Sequence, residues 1–348
     1  MGNDVPSRDK SHMLPVLPLG LSFPKTLSQV VLEADARIAA DRLKGYRPVP
    51  TGFESLDVTM GGGLHPGDLV LVGGRQGIGK TIFALQTARN IALSGQTRSC
   101  YVCFEHDEEY LFNRLVCFES VESLPTDEVG LDLPTLHRYI ATERSSRAIG
   151  LNAILAQDAA ASRAMQNIAR YWQRLSLSKG NPLRTTLKVL DLYVQELQRH
   201  GGDLVLLIDY LQKISLNRNR EDVTDEEKVT IIAEGLKDLA LSRNVSIVAL
   251  AAADKDGLKH DRVRLADLRG GTALQYECDI AIIMNPAALH GEKPRKRTVL
   301  FSIEKNRSGP TDVELEFDLW GEFFRFDIKG RRSSPGPAQQ GADKSIRS

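Results

Sequence analysis

One short segment limits the fold of this 348-residue chain more than any other. Residues 74–81 match the pattern GxxxxGK(S/T), follow the apolar run Leu69–Gly73 and open a helix predicted to stop before Gly95. The segment consists of Gly74, Arg75, Gln76, Gly77, Ile78, Gly79, Lys80 and Thr81. Its glycines allow backbone N–H groups to turn inward around an anion, and the helix that follows adds the positive end of its dipole. The pattern therefore predicts a loop that binds the phosphates of a nucleotide.

Two side chains of this phosphate loop have predicted tasks. Lys80 would reach the β- and γ-phosphates, and the Thr81 hydroxyl would hold Mg²⁺. One alternative is a glycine-rich turn that precedes a helix by chance. A dinucleotide-binding turn is excluded, because that pattern needs glycine where Ile82 stands. We therefore expect ATP and Mg²⁺ as ligands.

A metal-polarising acid should end a second buried strand beside this loop. The apolar run 204–208 ends in Asp209, whose carboxylate would emerge at the carboxyl edge of the sheet, where nucleotides bind. The alternative is an aspartate that only caps a turn. The strand that ends at Phe104 is followed by candidates for the group that orients the attacking water: Glu105, Asp107, Glu108 and Glu109. Sequence alone hardly separates these acids, and a solvated acidic turn is an alternative for each.

Short apolar runs alternate with helical patterns from about residue 50 onward. The predicted strands are Leu69–Gly73, Cys100–Phe104, Leu204–Asp209, Val245–Leu250, Asp279–Met284 and Val299–Glu304. One predicted helix has an apolar face from Leu187 to Leu197 and ends at Gly201-Gly202. The segments 314–317 and 322–327 predict a terminal β-hairpin. The fold class is therefore α/β, with a mainly parallel sheet and helices on both faces.

The two ends of the chain are predicted to lie outside the main domain, residues 47–328. Residues 1–25 predict an extended, flexible arm. Residues 26–46 predict a helix, because Thr26–Gln29 matches a capping box and apolar residues then recur at helical spacing. Residues 329–348 are rich in Gly, Ser, Pro and Gln and carry five basic residues and one acid, which predicts a disordered basic tail.

Composition excludes several classes of protein. Basic and acidic residues both number 45, so the chain has no global positive field and any nucleic-acid contact must come from a local patch. Cys100 and Cys103, two of four cysteines, lie three apart on a predicted strand and so point to opposite faces, which disfavours a shared metal. No apolar run reaches the ~18 residues of a membrane helix. We expect a cytoplasmic protein with reduced thiols and no membrane partner.

A set of motifs, taken in order, resembles one family. The motifs are 51–57 (TGFESLD), 61–69 (GGGLHPGDL), the phosphate loop, 209–212 (DYLQ), 267–269 (DLR) and 305–310 (KNRSGP). Across roughly residues 26–328 they are similar in order and spacing to the ATPase domain of DnaB-type replicative helicases. The broader group includes RecA, RadA and KaiC-like ATPases. An ordered set of this kind is far more specific than the phosphate loop alone.

The resemblance implies a RecA-like core that forms a ring, usually a hexamer, with ATP at subunit interfaces. Glu105 falls where the family carries its catalytic glutamate. Lys305 and Arg307 fall where the family sends basic fingers to the γ-phosphate of the neighbouring subunit. Without the resemblance, Arg307 is a surface arginine at a strand end. The helix at 26–46 resembles the linker helix that docks on the next subunit.

The sequence departs from the family at three places. The family's amino-terminal domain, which precedes the linker helix and recruits primase, is expected to be absent. Residues 251–253 are all alanine where the family usually carries a glutamine that senses the γ-phosphate and couples it to DNA. Asn306 replaces the usual glutamine between the two basic residues. These departures leave nucleotide binding intact and bear on the coupling of hydrolysis to movement.

Two segments, 216–227 and 254–269, correspond to the loops that face the central channel of ring translocases. The second carries five basic and four acidic residues, a net charge of +1. The predicted contacts to single-stranded DNA are Arg218, Arg220, Lys255, Lys259, Arg262 and Arg264. A ring would concentrate their copies on one strand, whereas the alternative is a solvated loop of mixed charge. A second basic cluster, or a charged hairpin tip, consists of Lys293, Arg295, Lys296 and Arg297.

Together these features predict a ring-forming, ATP-hydrolysing DNA helicase or translocase. The alternative, from a different class, is a regulatory or scaffold ATPase of the RecA/KaiC type that does not unwind DNA. A recombinase-like filament is a third possibility and predicts helical assemblies rather than closed rings.

Overall fold

The computed structural model describes residues 23–40, 47–122, 130–146, 149–216, 223–287 and 296–333. Two compact units, 1–43 and 44–348, divide the chain. In the first unit, helix α1 (Leu27–Ala39) begins with the predicted capping box, since Thr26 and Gln29 each accept a hydrogen bond from the other's backbone N–H. Residues 1–22 of the predicted arm and the predicted continuation of the helix at 41–46 lie outside the described residues.

The second unit is built on a sheet of ten strands among the described residues. The strands are β1 (Leu69–Gly74), β2 (Thr97–Cys103), β3 (Leu175–Lys179), β4 (Asp203–Asp209), β5 (Ser246–Ala252), β6 (Ile280–Pro286), β7 (Arg297–Asn306), β8 (Val313–Trp320), β9 (Arg325–Phe326) and β10 (Arg331–Arg332). The order is β10-β8-β7-β6-β1-β5-β4-β2-β3, with β9 paired to β8. The six strands from β6 to β3 are parallel, and β7 to β10 add an antiparallel extension.

Helices pack on both faces of the sheet, and each face has its own core. The helices are α2 (Glu54–Thr59), α3 (Lys80–Leu93), α4 (Glu108–Val121), α5 (Leu133–Ser146), α6 (Leu151–Leu155), α7 (Ala159–Ala169), α8 (Leu187–Arg199), α9 (Asp225–Arg243) and α10 (Gly271–Glu277). One core joins the sheet to α3, α4 and α7, and the other joins it to α8, α9 and α10. Along β1, Val70 and Val72 enter the first core, whereas Leu69 and Leu71 enter the second. Burial on both faces explains why this strand is a continuous apolar run.

The predicted α/β class and mainly parallel sheet are confirmed. The predicted strands are all present, with ends shifted by at most three residues, and β8 and β9 form the predicted antiparallel hairpin. Cys103 lies in the first core and Cys100 in the second, so the two thiols do face opposite sides. No described group of three or more His, Cys, Asp or Glu residues could hold a metal ion. No described helix is long and apolar enough to cross a membrane.

Two features differ from the sequence prediction. Strand β3 was not predicted, because its polar alternation LSLSK lacks the apolar run of the central strands. The tail was predicted from residue 329, but Arg331 and Arg332 pair with Glu316 and Leu315 of β8, so the sheet extends to residue 332. Residues 334–348 of that predicted tail lie outside the described residues.

Candidate nucleotide site

The phosphate loop joins β1 to α3 and depends on glycine at both ends. Gly74 has φ +145°, and a Cβ there would lie 2.4 Å from the carbonyl oxygen of Met284 on β6. Gly79 has φ +115°, and a Cβ there would lie 3.0 Å from side-chain atoms of Leu319 and Phe326. Since an L side chain fits neither the backbone conformation nor the space, the sequence must place glycine at these two positions.

Lys80 is the first residue of α3, and its ammonium lies over the loop. Its Nζ donates to the carbonyl oxygens of Gly74 at 2.7 Å and Arg75 at 2.9 Å. Burial lowers the pKa of Lys80, and the negative charges of Asp209 and Glu105 oppose that effect. A partly desolvated ammonium with neutral partners is suited to bind phosphate oxygens.

Asp209 ends β4 at the same edge of the sheet and is 3% exposed. Tyr101 donates its phenolic hydrogen to Asp209 Oδ2 at 2.7 Å, and the Thr81 side chain lines the same cavity as this carboxylate. Burial raises the pKa of Asp209, and the Tyr101 and Thr81 side chains oppose that effect. Thr81 and Asp209 therefore lie at the same cavity. One hydroxyl and one carboxylate, supplemented by phosphate oxygens, form the hard oxygen set that Mg²⁺ prefers.

The structure separates the acids that follow β2. Glu105 lines the same cavity as Lys80 and Asp209. Asp107 instead caps α4 and accepts from the Tyr110 amide at 2.9 Å. Glu108 accepts from the Lys179 amide at the end of β3, at 2.7 Å. The acids at 107 and 108 therefore have structural tasks, and Glu109 is exposed and does not line the cavity, which leaves Glu105 as the acid that faces the nucleotide site.

The remaining loop residues divide between the cavity and its support. The cavity has a volume of about 460 Å³ and is lined in part by Gln76 and Gly77. Ile78 turns away into the first core. Arg75 donates to the carbonyl oxygen of His260, so the segment 254–269 contacts the loop.

Two arginines in the cavity were not predicted as ligands of the nucleotide. Arg114 of α4 lies 4.7 Å from the ring centroids of both Tyr110 and Phe324 and lines the cavity. The sequence did contain one sign of this contact. Arg114 follows Tyr110 by four residues, so both side chains lie on one face of a helix capped by an acid. Arg297 was assigned only to a basic cluster, yet its guanidinium donates to the Gly77 carbonyl at 2.6 Å. A contact across 220 residues of chain leaves no local sequence signal.

Lys305 and Arg307 lie at the opposite edge of the sheet from their own phosphate loop. The adjacent Asn306 pairs with Ile280, the first residue of β6. Lys305 donates to the Gln275 carbonyl, and Arg307 donates to the Tyr276 carbonyl at 3.0 Å. These two cations therefore lie away from the nucleotide cavity of their own chain.

The structure places two of the departures from the family pattern. Asn306 is buried, its amide donates to the Thr59 carbonyl at 3.1 Å, and its Oδ1 accepts from the Ser308 amide. It thereby fixes the turn that carries Arg307. Ala252 and Ala253 line the cavity, so the stretch that replaces the sensor glutamine offers only methyl groups there.

The predicted DNA-contact residues fall into two groups. Arg218 and Arg220, together with Lys293 and Arg295 of the second basic cluster, lie outside the described residues. In the segment 254–269, three of the four predicted contacts are already paired with carboxylates. The pairs are Lys259–Asp256 at 2.6 Å, Arg264–Glu304 at 3.4 Å and Arg262–Glu314, which is closer still. Lys255 has no carboxylate within ion-pair distance among the described residues. The charge available to DNA from this segment is therefore smaller than the sequence indicated.

Comparison with known proteins identifies the family of this chain. A family model described as "DnaB-like helicase C terminal domain" matches residues 48–130 and 135–327. The chain belongs to this family. The match covers the phosphate loop, Asp209 and the basic pair Lys305 and Arg307.

Curated relatives and solved structures agree with this assignment. The replicative DNA helicase DnaB of Leifsonia xyli is 25% identical over 316 residues, which cover 86% of this chain and 60% of the relative. The replicative DNA helicase DnaC of Bacillus subtilis is 25% identical over 283 residues, 77% of this chain and 54% of the relative. The chain thus spans between half and two thirds of the length of these relatives.

Two solved structures share the fold. One, described as an ATPase domain, has a TM-score of 0.68 at 19% identity and covers 87% of this chain and 99% of that domain. The other is a DnaB-like replicative helicase described with its interactions with primase, with a TM-score of 0.66 at 19% identity. It covers 88% of this chain and 68% of that chain. At this identity the likeness establishes the RecA-like fold.

Proposed function

We propose that this chain is the motor part of a ring-forming DNA helicase that hydrolyses ATP between subunits and moves along single-stranded DNA. One observation carries the proposal. Lys80, Glu105 and Asp209 line one cavity at the carboxyl edge of the sheet, whereas Lys305 and Arg307 lie at the opposite edge. Half of a catalytic site at each edge is the arrangement that a head-to-tail ring requires.

Each residue has a task in phosphoryl transfer. Lys80 and the loop amides hold the phosphates, and Thr81 and Asp209 would hold Mg²⁺. When bound, Mg²⁺ supplies positive charge against the oxygens of the transferred phosphoryl group. Glu105 accepts a hydrogen bond from the attacking water and orients it. Most of the catalysis is positioning and charge stabilisation, because phosphoryl transfer needs little covalent help.

The neighbouring subunit completes the site in this proposal. Lys305 and Arg307 approach its γ-phosphate and stabilise charge that builds in the transition state. Helix α1 supports the same assembly, because its apolar residues Leu27 and Val31 are exposed and could dock on the next subunit. The family resemblance favours a homohexamer. We further propose a cytoplasmic location and DNA replication as the pathway, following the named function of the relatives.

A regulatory ATPase without unwinding activity is the second candidate, and two observations favour it. The alanines at 252 and 253 provide no polar group to sense the γ-phosphate. The pairing of Arg262 with Glu314 also removes one predicted DNA contact. Membership of the helicase family favours the first candidate more strongly.

ATP turnover with and without single-stranded DNA, on material of known oligomeric state, tests the proposal. For a helicase we expect DNA to stimulate turnover and a forked duplex to be unwound. Lys255→Ala should weaken the stimulation, whereas Lys188→Ala, at an exposed lysine of α8, should leave it unchanged. Basal turnover without stimulation would indicate the regulatory role, and absence of turnover in assembled rings would contradict both candidates.

A further inference from the structure

Arg297 occupies an unusual place for a residue at the start of an antiparallel strand. It is paired in register with Leu319 of β8, and Leu319 and Phe326 pack directly against Gly79 of the phosphate loop. The hairpin of β7 and β8 therefore packs against the phosphate loop, and the Arg297 guanidinium lies over that loop. One N–H donates to the Gly77 carbonyl at 2.6 Å, and the side chain lines the nucleotide cavity.

The partners of Arg297 do not compensate its charge. Partial burial lowers the pKa of Arg297, although the residue as a whole is exposed to solvent. No carboxylate of the described residues lies within ion-pair distance of it. The guanidinium has five N–H donors, and the Gly77 carbonyl is a single neutral acceptor. Because Arg297 is exposed at the cavity, an anion that enters can reach its guanidinium and would accept shorter and stronger hydrogen bonds than a neutral carbonyl.

Lys296, the residue before Arg297, is a cation with a structural role. Lys296 pairs with Asp318 at 2.5 Å and lies 5.2 Å from the ring centroid of Trp320. Its charge is satisfied within the hairpin. Two adjacent basic residues thus differ in kind: Lys296 stabilises the hairpin, whereas Arg297 extends from it into the cavity.

We propose that Arg297 is a phosphate ligand of the nucleotide in its own chain, exchanging the Gly77 carbonyl for a phosphate oxygen when the nucleotide binds. This inference rests on the proposed function, because it requires a nucleotide in the cavity. Arg297 and Arg114 then add two positive charges to that of Lys80, against the carboxylates of Glu105 and Asp209. The net positive charge favours a polyphosphate over a neutral ligand.

Calorimetric titration of the full chain with MgADP and with magnesium tripolyphosphate tests the proposal. Arg297→Gln retains a donor for the Gly77 carbonyl but loses the charge, and we expect it to weaken binding of both ligands about 10- to 100-fold. Arg297→Lys keeps the charge and should stay within a few-fold of the wild type. Lys296→Gln is the matched control and should bind both ligands unchanged, and urea unfolding verifies that each variant is folded.

Three outcomes would overturn the proposal, and they are distinguishable. Equal affinity of Arg297→Gln and the wild type for both ligands would make Arg297 only a brace for the loop. Weaker MgADP binding with unchanged tripolyphosphate binding would assign Arg297 to the base or ribose. If the wild type bound neither ligand, the nucleotide site itself, and with it the proposed function, would fail.

Discussion

Two buried aspartates stand at opposite edges of the same parallel sheet, and their surroundings differ. Asp279, just before β6, accepts from Lys237 Nζ at 2.6 Å and from the Leu69 amide at 2.8 Å. Asp209, at the end of β4, accepts from the hydroxyl of Tyr101 at 2.7 Å. No described basic side chain lies within ion-pair distance of Asp209.

The difference separates a structural carboxylate from a functional one. The Asp279–Lys237 pair compensates the burial of both charges, so the folded chain alone accounts for it. Burial of Asp209 raises its pKa, so the buried negative charge lowers the stability of the fold and no ion pair compensates it among the described residues. Such a cost is typical of a ligand site, where stability is exchanged for function. The same contrast holds between the paired Lys237 and Lys80, which contacts only neutral carbonyls.

The largest effect is expected from Lys80→Ala. Turnover of ATP should fall about 1,000-fold or more, because the phosphates lose their charge-assisted donor. The free energy of unfolding should change by less than about 1 kcal/mol, since Lys80 contacts only loop carbonyls. Steady-state turnover and urea unfolding measure the two quantities. Unchanged turnover would remove the phosphate-loop assignment.

Arg307→Ala should lower turnover about 100- to 1,000-fold while nucleotide binding stays nearly intact, because the arginine acts on a neighbour. Its loss should cost little stability, since the side chain is 55% exposed and lies 3.7 Å from Asp279. Mixing this variant with Glu105→Gln should restore part of the activity, because some interfaces then contain both intact residues. Absence of rescue in rings shown to exchange subunits would argue against a shared site.

Asp279→Asn should destabilise the fold by about 1.5–3 kcal/mol, because it removes the charge that Lys237 and the Leu69 amide bind. The measurement is urea unfolding at neutral pH. An unchanged free energy of unfolding would show that the contacts of Asp279 do not stabilise this edge of the sheet.

In contrast to Asp279→Asn, Asp209→Asn should raise the free energy of unfolding, by about 0.5–2 kcal/mol at pH 7.5. The folded-state pKa of Asp209 is raised, so the native chain holds this proton more tightly than the unfolded chain. The protonated carboxyl of Asp209 therefore stabilises the fold fully below pH 3.8, the ordinary pKa of an aspartate. This stabilisation is lost as the pH rises through the raised pKa of the folded state. The advantage of Asn should accordingly shrink on acidification. Unfolding from pH 7.5 to 4.5 checks this, and an Asn variant less stable than the wild type at pH 7.5 would remove the contrast with Asp279.

Much of this arrangement was predictable from local patterns. The phosphate loop, Thr81 and Asp209 follow from a motif and from an apolar run that ends in an acid, and both depend on neighbouring residues. The central strands are predictable for the same reason, because burial on both faces requires continuous apolar residues.

The remainder depends on contacts between distant parts of the chain. Arg297 reaches Gly77 across 220 residues, and no local pattern indicates it. Arg262 appeared available to DNA in sequence, but Glu314, 52 residues away, neutralises it. The acids after β2 were separated only when the structure placed Glu108 against the Lys179 amide. Ion pairing of surface charges is a tertiary property that composition does not determine.

The central claim is that the loop ending at Thr81 and the carboxylate of Asp209 surround one magnesium nucleotide. Calorimetric titration with ADP, in Mg²⁺ and in EDTA, tests it most directly on the wild type and on Asp209→Asn. The account predicts one nucleotide per chain, with affinity increased by Mg²⁺ in the wild type and nearly independent of Mg²⁺ in the variant. Absence of heat on titration, or the same dependence on Mg²⁺ in both proteins, would contradict it.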